Sequence, residues 1–153
     1  MSFRCFNNFK PPCRPDNACR FFAQFAVTAN PASGSDLPMS VVFQEGDQIR
    51  LNGANQILLA PGYLYLVNYL FLATPEPDGF FEIVPRINGS LRLYYAFFAP
   101  AGSLERNASA AGSFTTNEAA SQEAALAFNL TYPPTVNNID ITGTVSVTPL
   151  IRL

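Results

Sequence analysis

The thiols are the most reactive side chains in this sequence, and they lie close together. The three cysteines, Cys5, Cys13 and Cys19, all fall within the first nineteen residues. A structural zinc site needs four ligands, usually with a short and regular Cys-Cys spacing, and this cluster provides neither. An odd number of cysteines leaves at least one thiol free or available to a second chain. The cluster therefore predicts either intermolecular disulfides or unpaired thiols in a disordered tail.

Acid–base chemistry has few candidate residues. The sequence contains no histidine, which excludes Ser-His and Cys-His triads and the histidine-held metal of the cupin enzymes. Carboxylates recur at Glu45 and Asp47 around a turn glycine, and at Glu76 and Asp78 among prolines. Acids at such positions usually solvate a loop, and neither loop is acidic enough to predict calcium at Asp47 or Asp78. We therefore expect no enzymatic activity, no metal and no cofactor.

Aromatic residues recur every three positions beside the cysteines, at Phe3, Phe6 and Phe9. Prolines at positions 11, 12 and 15 fix φ and remove backbone donors, so this stretch should be extended and irregular. Alone in water it would expose apolar surface. We therefore predict that residues 1–18 form an arm that docks into a neighbouring subunit or trimer, where disulfides lock it.

The composition predicts a surface that is partly covered by other copies. Of the 153 residues, 48% are hydrophobic and only 13% are charged, whereas soluble domains average about 25% charged residues. The net charge is −2 and the only lysine is Lys10, so neither nucleic acid nor an anionic membrane is expected as a partner. The longest apolar run, residues 62–73, is too short to span a bilayer.

The first residues do not read as an export signal, because no continuous apolar segment follows Arg4. We therefore expect synthesis in a cytoplasm without general secretory export. Three glycosylation sequons begin at Asn88, Asn107 and Asn129. Without export they are chance matches, and Asn88 is better interpreted as a turn residue before Gly89.

Short alternating strands separated by turn signals fill the second predicted unit, residues 19–153. Nine strands are predicted, at 20–28, 40–44, 47–51, 56–60, 63–72, 81–87, 90–98, 124–130 and 139–148. Residues 100–118 could be a short helix or a loose strand. About eight to ten strands without a long helix indicate a β-sandwich or barrel. The absence of tryptophan and of a widely spaced cysteine pair disfavours an immunoglobulin sandwich, which leaves an all-β antiparallel jelly roll.

The strand at 63–72 is apolar on both faces. Tyrosine and phenylalanine alternate with leucine along it, and only Asn68 interrupts the pattern. Such a strand must be covered on both faces. The second cover could come from another copy or from long loops of the same chain.

Three segments carry a resemblance to a known family. The segment Ile57-Leu58-Leu59-Ala60-Pro61-Gly62-Tyr63-Leu64-Tyr65-Leu66-Val67-Asn68-Tyr69 and the closing Gly143-Thr144-Val145-Ser146-Val147 resemble the jelly roll shared by the globular head of complement q and by tumour necrosis factor. The hairpin through Ile87-Asn88-Gly89 is similar to the following strand pair. Among bacterial relatives the likeness is to the C-terminal domain of collagen-like exosporium glycoproteins, although this chain has no Gly-x-y stalk.

That resemblance implies a homotrimer whose threefold axis is lined by strand residues. Tyrosine tolerates partial wetting at interfaces, so we predict that Tyr63, Tyr65, Tyr69 and Phe71 lie at the subunit interface. The function that follows is a structural, self-assembling protein of a bacterial spore surface layer or appendage, whose partners are other copies of itself and other spore-surface proteins. Two alternatives remain open: a ligand-binding or adhesive trimeric head using loops 30–38, 75–79 and 99–121, and a viral or phage capsid or fibre jelly roll.

Overall fold

Alternating polar and apolar residues fold into eleven strands in a computed structural model that describes residues 20–104 and 106–153. One turn of 3₁₀ helix, Leu93–Tyr95, separates the seventh and eighth strands. The strands are β1 (Phe22–Ala29), β2 (Ser40–Glu45), β3 (Ile49–Asn52), β4 (Gln56–Leu59), β5 (Tyr63–Ala73), β6 (Phe80–Ile87), β7 (Ser90–Leu91), β8 (Phe97–Pro100), β9 (Ala108–Thr116), β10 (Ala124–Thr131) and β11 (Ile141–Arg152).

The strands form two antiparallel sheets. One has the order β2-β1-β11-β5-β9, and the other has the order β3-β4-β10-β6-β7 with β8 also paired to β6. The last strand, β11, lies between β1 and β5, so the two ends of the described chain meet in one sheet. This is the topology of a jelly-roll sandwich. The prediction of an all-β antiparallel jelly roll is confirmed.

Aromatic rings join the two sheets at the centre of the core. Tyr69 and Phe71 on β5 meet Phe128 on β10 of the facing sheet, with ring centroids 5.4 and 5.9 Å apart. Phe71 and Phe128 are fully buried. Edge-to-face packing of this kind adds about 0.5–1.5 kcal/mol per pair beyond the burial of apolar area.

Glycines on both neighbours of β5 make room for these rings. Tyr69 is paired with Gly112 on β9, and Phe71 is paired with Gly143 on β11. A Cβ at Gly112 would lie 2.3 Å from the Tyr69 ring, and a Cβ at Gly143 would lie 2.0 Å from the carbonyl oxygen of Leu70. Both strands therefore need glycine at this point, because the Tyr69 ring occupies the space beside Gly112, and the Leu70 backbone and the Phe71 residue occupy the space beside Gly143.

The turn between β6 and β7 is the hairpin that the sequence predicts. Asn88 and Gly89 have φ angles of 50° and 80°, which is typical of a two-residue turn with positive φ at both positions. The Asn88 side-chain oxygen also accepts a hydrogen bond of 2.9 Å from the backbone N–H of Ala125.

Two segments differ from their predicted structure. The predicted strand at 90–98 is interrupted, because the backbone N–H of Arg92 bonds to the Pro85 carbonyl and the chain then turns through the 3₁₀ helix. Leu93 is 71% exposed and does not align with a buried face. In residues 100–118 the ambiguity is resolved in favour of a strand, since β9 spans Ala108–Thr116 and pairs with β5.

The side of β5 that was predicted to contact another subunit is the side that faces the core. Tyr65, Tyr69 and Phe71 point into the core and are 0%, 4% and 0% exposed. Side chains that are covered by the facing sheet cannot contact another subunit while the sandwich is intact, so the interface prediction is wrong for these three residues. Tyr63 is half-buried and packs edge-on against Phe21, with centroids 4.9 Å apart.

We expect Gly143→Ala to lower the free energy of unfolding by about 3 kcal/mol, because the new methyl group overlaps backbone atoms of β5 that cannot move independently. The matched control is Gly53→Ala, in an exposed turn with φ of 62° and no atom within 4 Å of the added Cβ. That change should cost only the backbone strain, about 1 kcal/mol. Chemical denaturation at fixed protein concentration measures both, and equal losses would contradict the packing argument.

Candidate assembly surfaces

The outer surface of the five-stranded sheet is apolar at its centre. Leu70 and Leu72 on β5 are 55% and 47% exposed, and Leu64 and Leu66 are partly exposed on the same side. The paired strands surround these leucines with small or uncharged residues. We call this surface the five-stranded face; its members are Leu64, Leu66, Asn68, Leu70 and Leu72 on β5, Ser109, Ala111, Ser113 and Thr115 on β9, Thr142, Thr144, Ser146 and Thr148 on β11, and Phe22, Gln24, Ala26 and Thr28 on β1.

None of these residues on β1, β5, β9 and β11 carries a charge. The fifth strand, β2, carries one, Glu45, at its end opposite Phe22. The other sheet differs, since its exposed side includes Arg50, which pairs with Glu123 at 3.0 Å, and Arg86, which pairs with Asp36 at 3.4 Å. Monomeric proteins rarely leave a large uncharged apolar patch in water. The five-stranded face is therefore the surface of this sandwich that is suited to contact another protein surface.

A second apolar surface lies at one edge of the sandwich. Leu91, Leu93, Tyr94, Phe97 and Phe98 are between 38% and 73% exposed, and they follow one another along β7, the 3₁₀ helix and β8. We call this group the aromatic edge. The sequence interpretation missed it as a surface. The available signal was two adjacent tyrosines followed by two adjacent phenylalanines, which breaks strand alternation.

The aromatic edge is held rigidly against the core. Tyr95 stacks on Phe114 with a centroid distance of 4.2 Å, and its hydroxyl donates to the Thr115 carbonyl at 3.0 Å. The Tyr69 hydroxyl, which rises from the core, donates to the Tyr95 carbonyl at 2.8 Å. Because these contacts fix the backbone, the exposed side chains are presented on an ordered support.

An ion pair adds a further tie at the same edge. Both guanidinium nitrogens of Arg92 that face Glu118 donate to its carboxylate, each at 2.8 Å. The hydrogen bonds that Arg92 donates to Glu118 raise the pKa of Arg92. A bidentate pair of this kind fixes the relative orientation of its two segments, here the start of the 3₁₀ helix and the turn after β9.

Loops gather at one end of the sandwich, where two of the three loops predicted for ligand binding meet. Asp78 donates its backbone N–H to Gly102, and Arg106 pairs with Glu76 at 2.7 Å. Prolines of the loops 75–79 and 132–135, with Tyr132 and Phe80, line a cavity of about 240 Å³. The remaining predicted loop, 30–38, pairs instead with β10 through Asp36 and Asn129.

Neither a metal-ligand group nor a membrane-spanning helix is found in the part of the chain that the structure describes. Within residues 20–104 and 106–153, no three acidic, cysteine or histidine side chains are grouped as metal ligands. The same residues contain no helix with the length and apolar character of a membrane span. The predicted docking and disulfide residues, Phe3, Phe6, Phe9, Cys5, Cys13 and Cys19, lie outside the described residues.

Comparison of the coordinates with known structures identifies the fold as the jelly roll of tumour necrosis factor and complement heads. Eiger, a tumour necrosis factor from S. frugiperda, matches with a TM-score of 0.54 at 11% identity, over 87% of this chain and 94% of that one. The globular domain of zebrafish complement 1qA matches with a TM-score of 0.52 at 9% identity, over 86% and 98%.

A vertex protein shares the same fold. The PRD1 vertex protein P5 matches with a TM-score of 0.54 at 12% identity, over 86% of this chain and 97% of that one. Neither a family model nor a curated protein matches the sequence. None of the three solved structures carries the name of an enzyme. At this identity the likeness establishes the fold, and function must be argued from the surfaces.

Buried tyrosines make the fold sensitive to alkaline conditions. Burial raises the pKa of Tyr65 and of Tyr69 above the ordinary value of about 10. Their hydroxyls donate to the carbonyls of Ala60 and Tyr95, each at 2.8 Å. At pH values below about 10 both the folded and the unfolded chain keep these protons, so their contribution to stability is complete there.

As the pH rises above about 10, we expect the free energy of unfolding to fall, because the unfolded chain releases these protons first. Tyrosinate absorbance and circular dichroism recorded together should show Tyr65 and Tyr69 titrating only as the strands are lost. Tyr65→Phe should weaken the pH dependence. The difference in tyrosinate absorbance between the wild type and Tyr65→Phe isolates the signal of Tyr65, and its appearance while the strands are intact would contradict this.

Proposed function

We propose that this protein is a structural subunit that self-associates through its jelly roll, with the homotrimer as its basic unit. The observation that carries the proposal is the five-stranded face, where exposed leucines lie among uncharged neighbours. Burying apolar area stabilises association by about 25 cal/mol per Å² before the costs of binding are subtracted. A face without charged residues loses no ion solvation when it is covered.

The aromatic edge supplies the complementary surface. A flat uncharged face and a projecting edge of Leu93, Tyr94 and Phe98 are two different patches, so contact between them is heterologous. A heterologous contact forms a closed ring when its rotation returns to the start, and otherwise an open filament. A ring of three agrees with the trimer implied by the family resemblance, and interface cores are typically enriched in tyrosine and phenylalanine.

The N-terminal arm would link these units. Its three cysteines can form disulfides between chains once the surroundings are oxidising. A trimer that is cross-linked in this way can extend into a layer or appendage without new folded contacts. The resemblance to exosporium glycoprotein heads favours the surface of a bacterial spore as its location, with other spore-surface proteins as further partners. With only nine lysine and arginine residues among 153, such a layer would have few sites for proteases that cut at basic residues.

A capsid or vertex role is the second candidate. The likeness to the PRD1 vertex protein favours it, and the same two surfaces would serve assembly there. Visualising the protein by labelled antibody on spores and on virus particles from the source culture would distinguish the two locations.

A ligand-binding head is the third candidate. The cavity lined by Tyr132, Phe80 and the prolines of loops 75–79 and 132–135 favours it, because prolines hold an apolar pocket open without relying on flexible side chains. If the protein is a ligand-binding head, we expect a trimer that forms no larger assembly.

Leu70→Lys should dissociate the trimer to single chains of 16.7 kDa, because it places an unpaired charge in the buried contact. Tyr94→Lys should do the same if the contact is heterologous. Val136→Lys is the control, since Val136 is fully exposed in a distant loop. Light scattering measures the masses. A symmetric face-to-face contact would respond to Leu70→Lys alone, and a wild-type monomer would overturn the proposal.

Reductant should separate linked units without dissociating the trimer. We expect a wild-type particle heavier than three chains to fall to three chains when disulfides are reduced. The variant in which Cys5, Cys13 and Cys19 are all serine should stop at three chains under oxidising conditions. A heavy particle that persists in this variant would show that the cysteines do not link the units.

A further inference from the structure

The strand at the opposite edge of the five-stranded sheet is apolar and open. β2 is the terminal strand of that sheet among the described residues, and Val41, Val42 and Phe43 are 47%, 57% and 51% exposed. Edge strands present unpaired N–H and C=O groups and are usually protected by charged side chains, proline or β-bulges. None of these three residues is charged or proline, so the bulge at Val42 is the protection that they provide. The only irregularity is a shift in the pairing with β1 at Val42.

We propose that residues 1–19 of one copy dock along the β2 edge of another copy. The inference rests on the arm-mediated linkage of the proposed function and adds the surface that receives the arm. An extended segment can add backbone hydrogen bonds to a sheet edge while its side chains pack on the strand. The shift at Val42 interrupts the backbone ladder, so packing on the three apolar side chains supplies much of the contact.

The arm has the chemistry that this edge requires. Phe3, Phe6 and Phe9 supply rings for the exposed Val42 and Phe43, and Phe22 already approaches Phe43 with a centroid distance of 6.0 Å. Aromatic and β-branched side chains pair favourably across strands, at about 0.2–1 kcal/mol per pair.

The charges of the arm and of the residues near β2 also favour docking of the arm at this edge. Residues 1–19 contain three basic side chains and one acid, whereas the rest of the chain contains six arginines and ten acids. Two of those acids, Glu45 and Asp47, are exposed at the end of β2 and in the turn that follows it. A basic arm is therefore attracted to this end of the sandwich.

The arm is less able to reach β2 of its own chain than β2 of another copy. β1, which follows the arm, is already paired on one side with β2 and on the other with β11. The turn after β2 packs against Phe21, because a Cβ at Gly46 would lie 3.0 Å from the Phe21 Cβ. A segment leading into Phe21 would have to pass around that turn to reach the outer edge of its own β2. The β2 edge of a neighbouring copy is free of this constraint.

The length of the arm fits a link between copies. Nineteen extended residues span at most about 60 Å, and the six residues of β2 cover about 20 Å. About two thirds of the arm is then available to bridge the gap between two sandwiches.

Disulfide trapping tests the contact directly. Two differently tagged full-length copies are co-expressed: one carries Val42→Cys with Cys5, Cys13 and Cys19 replaced by serine, and the other keeps its native cysteines. We expect a cross-linked band under non-reducing conditions that contains both tags. Val136→Cys in place of Val42→Cys is the matched control and should give no such band. Replacing Phe3, Phe6 and Phe9 with serine in the second copy should abolish the band.

If the β2 edge contacts something other than the arm of another copy, the cross-linking experiment gives a different result. Cross-linking of the Val42→Cys copy with itself would show that two β2 edges meet, and would overturn the proposal. A link formed only within one chain, when Val42→Cys is placed in the native background, would assign the arm to its own β2 and would also overturn it. If no cross-link to Val42→Cys forms at all, the proposal is overturned as well.

Light scattering separates this failure from that of the proposed function. We expect Val42→Lys with Phe43→Lys to leave three-chain units that no longer form heavier particles. If an arm variant with Phe3, Phe6 and Phe9 and also Cys5, Cys13 and Cys19 replaced by serine still forms heavier particles, the linking role of the arm is wrong. If that variant loses them while the double lysine variant keeps them, the arm links units but β2 is not its receiver. Circular dichroism verifies that both variants are folded.

Discussion

The central strand β5 carries large apolar side chains on both faces, and the facing sheet covers only one of them. The rest of the structure follows from this constraint. On the inner side, the rings of Tyr69 and Phe71 need a glycine on each neighbouring strand and Phe128 from the other sheet. On the outer side, the leucines have no cover within the described chain. The two sheets therefore enclose a complete core, but the outer side of β5 exposes apolar side chains to water.

The side chain of Tyr69 connects the core to the aromatic edge. Tyr69 packs against Phe128 and also holds the Tyr95 carbonyl, so one side chain fixes both the contact between the sheets and the backbone beneath Tyr94. An exposed aromatic group on a mobile loop would lose conformational freedom on binding, at about 0.5–1.5 kcal/mol per side chain. Here the support is already ordered by the fold. The trimer contact that we propose would therefore use surfaces that the folded chain already presents, before any contact by the arm.

The sequence could predict the layers of this fold better than its surfaces. Strand periodicity and turn residues such as Asn88-Gly89 depend on local chemistry, and the predicted jelly roll is the one observed. The direction in which β5 faces could not be predicted in this way, because large side chains alternate on both sides of the strand and either set could be buried. Only the glycines opposite Tyr69 and Phe71 distinguish them. Register across strands is set by tertiary pairing, so Tyr65, Tyr69 and Phe71 were assigned to the wrong side.

The apolar surfaces lie where they can act together without competing. The aromatic edge adjoins β9, at one end of the five-stranded sheet, whereas β2 is at the other end. A ring built from the five-stranded face and the aromatic edge uses side chains at the centre and at the β9 end. The β2 edge then remains available to an arm from another ring. Closing the ring covers the larger apolar surface, and the arm adds a link that can be made and broken separately. Low charge favours the proposed ring contact, because the exposed leucines of β5 lie among uncharged neighbours, whereas charge attraction to Glu45 and Asp47 favours the proposed arm contact.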